Sequence, residues 1–127
     1  MKIILNTLIT LVATVFLSFN ILAAPLSGTY TINSSLPTGG TNFASFNAAS
    51  DTLSANGVSG AVLFLVKQGT YTEQVVFGNI AGVSASNTIT IAADPSNTSV
   101  AKIEYNLVSS ASNNYVIQFN GSSYFTI

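Results

Sequence analysis

An all-β chain, stacked as a solenoid behind one amphipathic helix, is the fold class this sequence predicts, on three observations. Apolar, β-rich runs begin at residues 62, 75, 88, 101 and 115, so strands recur every 13 or 14 residues. The corners between them are rich in Asn, Ser and Gly, and a single stretch of helical periodicity precedes the first run. A jelly roll or Greek-key sandwich also places short strands at regular intervals. Its hairpins would use the same corner residues, so that alternative stays open at this point.

The amino terminus reads as an export signal. Lys2 is the only early charge, an apolar run extends from Ile3 to Leu22, and the small Ala23 and Ala24 precede Pro25. Proline directly after a cut hinders cleavage, which places the cut between Ala23 and Ala24 and assigns residues 1–23 to the signal. About 20 apolar residues can also span a bilayer. Here Asn6, Thr7, Thr10, Thr14, Ser18 and Asn20 dilute the run, and no Lys or Arg cluster follows to stop transfer. A secreted or cell-surface location is expected, with no membrane association after cleavage.

The remaining chain suits one domain. Residues 24–42 are expected to form an N-terminal strand and loop, with strand-like residues over Leu26 to Ile32 and loop residues Pro37 and Gly39-Gly40. Residues 43–127 then hold a cap helix and the first coils. Phe43, Phe46, Ala49 and Leu53 fall at helical spacing, which predicts a helix from about Phe43 to Asn56. Thr41 or Asn42 supplies its N-cap and Gly57 its stop. Covering the open end of the solenoid with Phe43, Phe46 and Leu53 would contribute about 1.5 to 3 kcal/mol each before entropy is subtracted.

Strands follow at Val62 to Val66, apolar on both faces and expected to be covered on both, and at Thr70 to Phe77, Thr88 to Ala92, Ala101 to Tyr105, Tyr115 to Phe119 and Tyr124 to Ile127. Polar corners lie at Ser84 to Asn87, Asp94 to Asn97, Ser109 to Asn114 and Asn120 to Ser123. The aromatic and β-branched run Tyr124 to Ile127 has no turn or cap after it. An apolar edge of that kind predicts a fold that is incomplete at the C-terminus, the amino-terminal piece of something longer.

Composition removes several function classes. The chain has no Cys, His or Arg, and beyond the signal Lys67 and Lys102 face Asp51, Glu73, Asp94 and Glu104, a net charge of −2. Nucleic acid and anionic membranes are therefore poor partners. Without histidine there is neither an ordinary nucleophile and base pair nor a zinc ligand set. No carboxylate pair suited to glycoside hydrolysis is evident. No catalytic, cofactor-binding or metal-ligating residues are assigned, and no cofactor is expected.

The single carboxylates take structural readings. Glu73 shares a strand face with Tyr71, Val75 and Phe77, so it should accept hydrogen bonds from backbone N–H groups of a neighbouring turn. Asp94-Pro95 suits the first two positions of a type I turn better than a calcium loop, for which one carboxylate is too few. Lys102 and Glu104 form a solvated strand face, and Asp51 lies exposed on the helix. Of the aromatics, Phe43, Phe46, Phe64, Phe77 and Phe119 are expected in the core rather than stacked on sugar.

With these residues in place, a resemblance emerges. The helix near Phe43, the Gly57-Val-Ser-Gly60 link, the strand Val62 to Val66 and Lys67-Gln-Gly-Thr-Tyr-Thr-Glu-Gln-Val-Val-Phe77 resemble the start of the pectin-lyase-like right-handed parallel β-helices. Gly69, Tyr71 and Glu73 match the Gly-x-Tyr-x-Glu segment of pectin methylesterases within that superfamily. Asn87 to Ile91 and Tyr115 to Ile127 look like successive coils. The resemblance implies an N-terminal cap helix and the first coils of a right-handed parallel β-helix, in an exported bacterial surface protein. The catalytic aspartates and arginine of those esterases find no counterpart here.

Two functions stay open on the sequence. The first is a structural or adhesive segment of a secreted or cell-surface protein, partnered by polysaccharide or cell-surface components and by the remaining coils of the parent β-helix. The second is a fragment of a polysaccharide-active enzyme of the pectin esterase or lyase type, with its catalytic coils beyond residue 127.

Overall fold

The computed structural model describes residues 23–106 and 113–127. The expected export signal, apart from Ala23, and part of the corner Ser109 to Asn114 lie outside the described residues. Along the described chain run β1 (Leu26–Ile32), β2 (Asn42–Phe43), α1 (Phe46–Asn56), β3 (Val58–Val66), β4 (Gly69–Thr72), β5 (Val75–Phe77), β6 (Ile89–Ala93), β7 (Ala101–Glu104), β8 (Ile117–Phe119) and β9 (Phe125–Thr126). Five strands form one sheet in the order β2-β1-β3-β6-β9, while β4 pairs with β7 and β5 with β8.

All of these pairings are parallel. That removes the jelly-roll and Greek-key alternative, whose sheets are antiparallel. It also comes with a correction to the right-handed parallel β-helix expected from the sequence. The described residues form small parallel sheets of unequal size with one short helix, and no solenoid is detected among them. The near-regular spacing of strand starts had suggested equal stacked coils. Instead β1 and β2 join the first sheet from before the helix, and the expected strand Thr70 to Phe77 breaks at Glu73-Gln74 into β4 and β5, which enter different sheets.

The helix starts later than its apolar spacing predicts. Ser45, in extended conformation at φ −152° and ψ 164°, is the N-cap, and its hydroxyl accepts from the Ala48 N–H at 3.0 Å. Asn42 is committed elsewhere: its Oδ1 accepts from the Thr31 hydroxyl at 2.7 Å, and its Nδ2 donates to the Pro37 carbonyl at 3.0 Å. Phe43 consequently lies in β2, in register with Ile32, and not on the helix. The rest of the predicted stripe holds, for Phe46, Ala49 and Leu53 are all buried.

Gly57 ends the helix as expected, with φ 68° and its N–H donating to the Leu53 carbonyl at 2.9 Å. Close backbone approach adds a second reason for glycine there. A Cβ on Gly57 would stand 2.6 Å from the Ala81 carbonyl oxygen, and one on Gly82, at φ 85°, would stand 2.0 Å from the Val58 carbonyl oxygen. The two glycines let β3 begin directly beside the Ala81-Gly82 turn, where the Val58 N–H donates to the Ala81 carbonyl at 2.9 Å.

Inside the sheets, Val62, Phe64 and Val66 of β3 are buried, whereas the intervening Leu63 and Leu65 are half-buried. This strand is thus covered fully on one face, short of the two expected. Phe64 packs with Phe43 and Tyr30 at ring separations of 5.7 and 5.8 Å, and Phe46 meets Tyr71 edge-on at 5.2 Å. At the other end of the core, Phe77, Phe119 and Phe125 form a second cluster with ring centroids 5.0 to 5.6 Å apart. Among the described residues, no helix is long and apolar enough to cross a membrane.

Candidate functional site

Gly69 to Glu73 runs through β4 into the break before β5; Tyr71 and Glu73 are engaged by the fold, while Thr70 and Thr72 are exposed. The Tyr71 ring is buried and its hydroxyl lies 2.9 Å from both the Ile32 and the Lys67 carbonyl oxygens, with the proton shared between them. Burial pushes that hydroxyl's pKa up. Glu73 points at the start of α1. Its Oε1 accepts from the Phe46 N–H, and its Oε2 from the Asn47 N–H and side-chain amide, all at 2.9 Å. These N–H groups belong to the first helical turn, which has no partners inside the helix and carries partial positive charge. The carboxylate therefore acts as a helix clamp, and the backbone N–H groups predicted for it turn out to come from the helix, not from an adjacent turn.

Asp94 occupies the predicted turn, closed by the Asn97 N–H donating to the Asp94 carbonyl at 3.0 Å. Its carboxylate also accepts from Lys67 Nζ at 2.8 Å and from the Ser96 N–H at 2.8 Å. Asn97 and Gln68 are used up at the same corner: Asn97 Nδ2 donates to the Val66 carbonyl, and Gln68 Oε1 accepts from the Thr98 and Ser99 N–H groups. The segment after β3 is thus locked to the turn between β6 and β7 by these hydrogen bonds, beside an open cleft of about 360 Å³ lined by Asn33, Ser35, Lys67, Gln68, Ser96 and Asn97.

Hydrogen bonding from Lys67, followed by that from the Ser96 hydroxyl and N–H, holds the Asp94 carboxyl at about 2, below its ordinary 3.8. A carboxyl whose folded pKa is depressed stabilises the fold above its unfolded pKa, and the contribution is lost as pH falls through the folded value. Stability should accordingly drop between pH 3.8 and about 2. Chemical denaturation across that window is expected to show a shallower pH slope for Asp94→Asn than for the wild type. Parallel slopes would contradict this assignment.

The remaining charges fall as read from sequence. Asp51 is exposed on α1. Lys102 and Glu104 pair with each other on β7, with side chains 57% and 43% exposed, so their attraction is screened by water and contributes little. Among the described residues there is no group of three or more His, Cys, Asp or Glu that could hold a metal ion.

The last described strands leave an aromatic surface exposed. Between β8 and β9 the chain turns through Asn120-Gly-Ser-Ser, and an open cleft of about 360 Å³ is lined by Phe119, Ser122, Ser123, Tyr124, Phe125 and Ile127. Phe119 is 46% exposed and Tyr124 51% exposed. The sequence placed Phe119 in the core. In the structure the ring stacks on Phe77 with an interplanar angle of 18° and tilts against Phe125 at 5.2 Å, yet stays half exposed, with β5 the one strand paired to β8 among the described residues. Ser122 Oγ is shielded and has no hydrogen-bond partner among the described residues.

Tyr124 has φ 57°, the left-handed region that side chains other than Gly and Asn avoid. Holding a bulky residue there costs about 1 to 3 kcal/mol. Its carbonyl accepts from the Ile89 N–H at 2.9 Å, which ties the backbone down while the ring stays in solvent. Sequence reasoning missed this site. The available signal was an aromatic on each side of an Asn-Gly-Ser-Ser turn.

A second cleft, about 340 Å³, is lined mainly by Phe46, Ile91, Ile103, Ile117 and Ile127. Thr90 and Thr126 are the only polar residues in its lining. Fold and site together define a parallel-stranded chain in which Glu73 holds the helix start, Asp94 a turn and Glu104 a surface pair, with an aromatic and hydroxyl cleft left facing solvent. No family model, curated protein or solved structure matches the chain. The resemblance to pectin-lyase-like proteins therefore rests on the residues quoted for it alone.

Proposed function

We propose that the chain is a non-catalytic structural and adhesive segment of an exported cell-surface protein, and that it contacts polysaccharide through the cleft of Phe119, Ser122, Ser123 and Tyr124. The observation carrying this reading is the pair of exposed rings flanking two serines, one ring held at the unfavourable φ of 57°. A sugar presents an apolar C–H face and a rim of hydroxyls. Exposed aromatic faces suit the first and serine hydroxyls the second, the usual division of labour in small-molecule clefts. The low charge of the cleft favours a neutral or weakly anionic glycan. Export draws support from the N-terminal pattern of Lys2, the apolar run and Ala23-Ala24.

The enzyme reading gains nothing from the described carboxylates, for Glu73, Asp94 and Glu104 are each paired and Asp51 stands alone on the helix. Titration of the protein with soluble polygalacturonate and with a neutral β-glucan, followed through NMR shifts of the tyrosine ring resonances, tests the proposal. Tyr124→Gly removes one ring and relieves the backbone strain, so it should abolish binding with an unchanged or raised Tm. Binding of both glycans that survives this substitution would overturn the cleft assignment.

A further inference from the structure

We infer that Asn120 is a site of spontaneous covalent modification, converting to aspartate and isoaspartate through a cyclic imide, while the chain's other Asn-Gly pair is protected by the fold. This inference does not depend on the carbohydrate reading. The chain holds two Asn-Gly pairs, Asn56-Gly57 and Asn120-Gly121. Glycine after asparagine is the most permissive context for this chemistry, because the attacking backbone nitrogen is not shielded by a side chain and the backbone bends freely.

In the reaction the Gly121 nitrogen attacks Asn120 Cγ. A new N–Cγ bond forms, the Cγ–Nδ2 bond breaks, and ammonia leaves with the amide proton. Water then opens the five-membered imide at either carbonyl. Attack at Cγ yields aspartate, and attack at the main-chain carbonyl yields isoaspartate, whose backbone runs through the side chain. No oxidant, metal or enzyme is needed.

The structure separates the two pairs. Asn120 and Gly121 are both exposed, Gly121 sits at φ 79° in the turn between β8 and β9, and among the described residues neither the Asn120 side chain nor the Gly121 N–H makes a hydrogen bond. Nothing within 4 Å stands where a Cβ of Gly121 would project, so no neighbouring group packs against the turn on that side. At the other pair, the Gly57 nitrogen is buried and its N–H is committed to the Leu53 carbonyl at 2.9 Å. Ala81 packs against Gly57 from the opposite side, with its carbonyl oxygen 2.6 Å from the position a Cβ would take. The geometry that ends α1 withholds the nucleophile.

The modification would have a local consequence. It adds a carboxylate next to Phe119, at the rim of the aromatic cleft, and isoaspartate would lengthen a turn anchored by the Asn120 N–H to the Phe77 carbonyl at 2.8 Å and by the Tyr124 carbonyl to Ile89. Both anchors hold the register of the last strands.

The test is incubation of the full chain at mildly alkaline pH, folded in buffer and unfolded in urea, with peptide mass mapping of both Asn-Gly pairs and an isoaspartate-specific methylation assay. In the folded protein Asn120 should convert at least several-fold faster than Asn56, and in urea the two rates should converge. Equal rates in the folded state, or conversion of Asn120 in urea alone, would overturn the inference. Asn120→Gln, which disfavours ring closure by lengthening the side chain, should remove the folded-state signal; persistence of that signal would also count against it.

Discussion

Phe46→Asp should leave little folded protein. Phe46 is 5% exposed, packs edge-on against Tyr71 and lines the inner face of α1. Losing a buried Phe side chain costs about 3 to 5 kcal/mol, and an unpaired carboxylate in its place adds a desolvation penalty. An acidic residue in the first helical turn does gain from the helix dipole, but by only about 0.3 to 1 kcal/mol. Here that gain is opposed, since Glu73 already occupies the turn and would repel a second carboxylate. Against a typical total stability of about 5 to 15 kcal/mol, the packing loss dominates. Urea denaturation should show the variant largely unfolded or aggregated, with Phe46→Leu intermediate. A soluble Phe46→Asp protein with wild-type midpoint would remove α1 from the core.

Glu73→Gln should cost about 2 to 3 kcal/mol, from hydrogen bonds to a charged acceptor worth about 1.5 to 3 kcal/mol and a smaller helix-dipole contribution of about 0.3 to 1 kcal/mol. Glutamine keeps one acceptor oxygen but turns an NH₂ toward N–H donors of α1, so part of the clamp becomes repulsive. The loss should appear as a lower denaturation midpoint with an unchanged m-value. Asn47→Ala removes only the side-chain donor to Glu73 and should cost less. Equal stability of wild type and Glu73→Gln would mean that the three 2.9 Å contacts contribute nothing net.

The parts of this fold legible in the sequence are those set by local chemistry. Gly57 as the helix stop, Asp94-Pro95 as a turn opener, the helical burial of Phe46, Ala49 and Leu53, and the need of Glu73 for N–H donors each follow from one residue's own requirements. The misplaced features depend on partners distant in sequence. Phe43 continues the helical spacing, yet Asn42 is drawn into closing the loop after β1, and Phe43 pairs with Ile32 instead.

Strand spacing and corner composition point to a solenoid, and the resemblance of Gly57 to Phe77 to a β-helix, but spacing counts residues and does not say which sheet a strand joins. The break at Glu73-Gln74 separates β4 from β5, and spacing alone gave no sign of it. Phe119 was assigned to the core because aromatic residues in strands usually go there, and its half-exposure depends on β8 having only β5 beside it among the described strands. The φ of Tyr124 has no sequence marker at all, since glycine or asparagine would be the expected residue at such a position.

The central claim is that the conspicuous Gly69 to Glu73 segment holds the fold together while ligand contact belongs to the cleft around Tyr124. One paired measurement separates the two: Tm and glycan affinity determined side by side for wild type, Glu73→Gln and Tyr124→Gly. The account predicts a lowered Tm with glycan binding retained below the transition for Glu73→Gln, and a retained Tm with binding lost for Tyr124→Gly. Loss of binding in folded Glu73→Gln, together with unchanged binding in Tyr124→Gly, would contradict it.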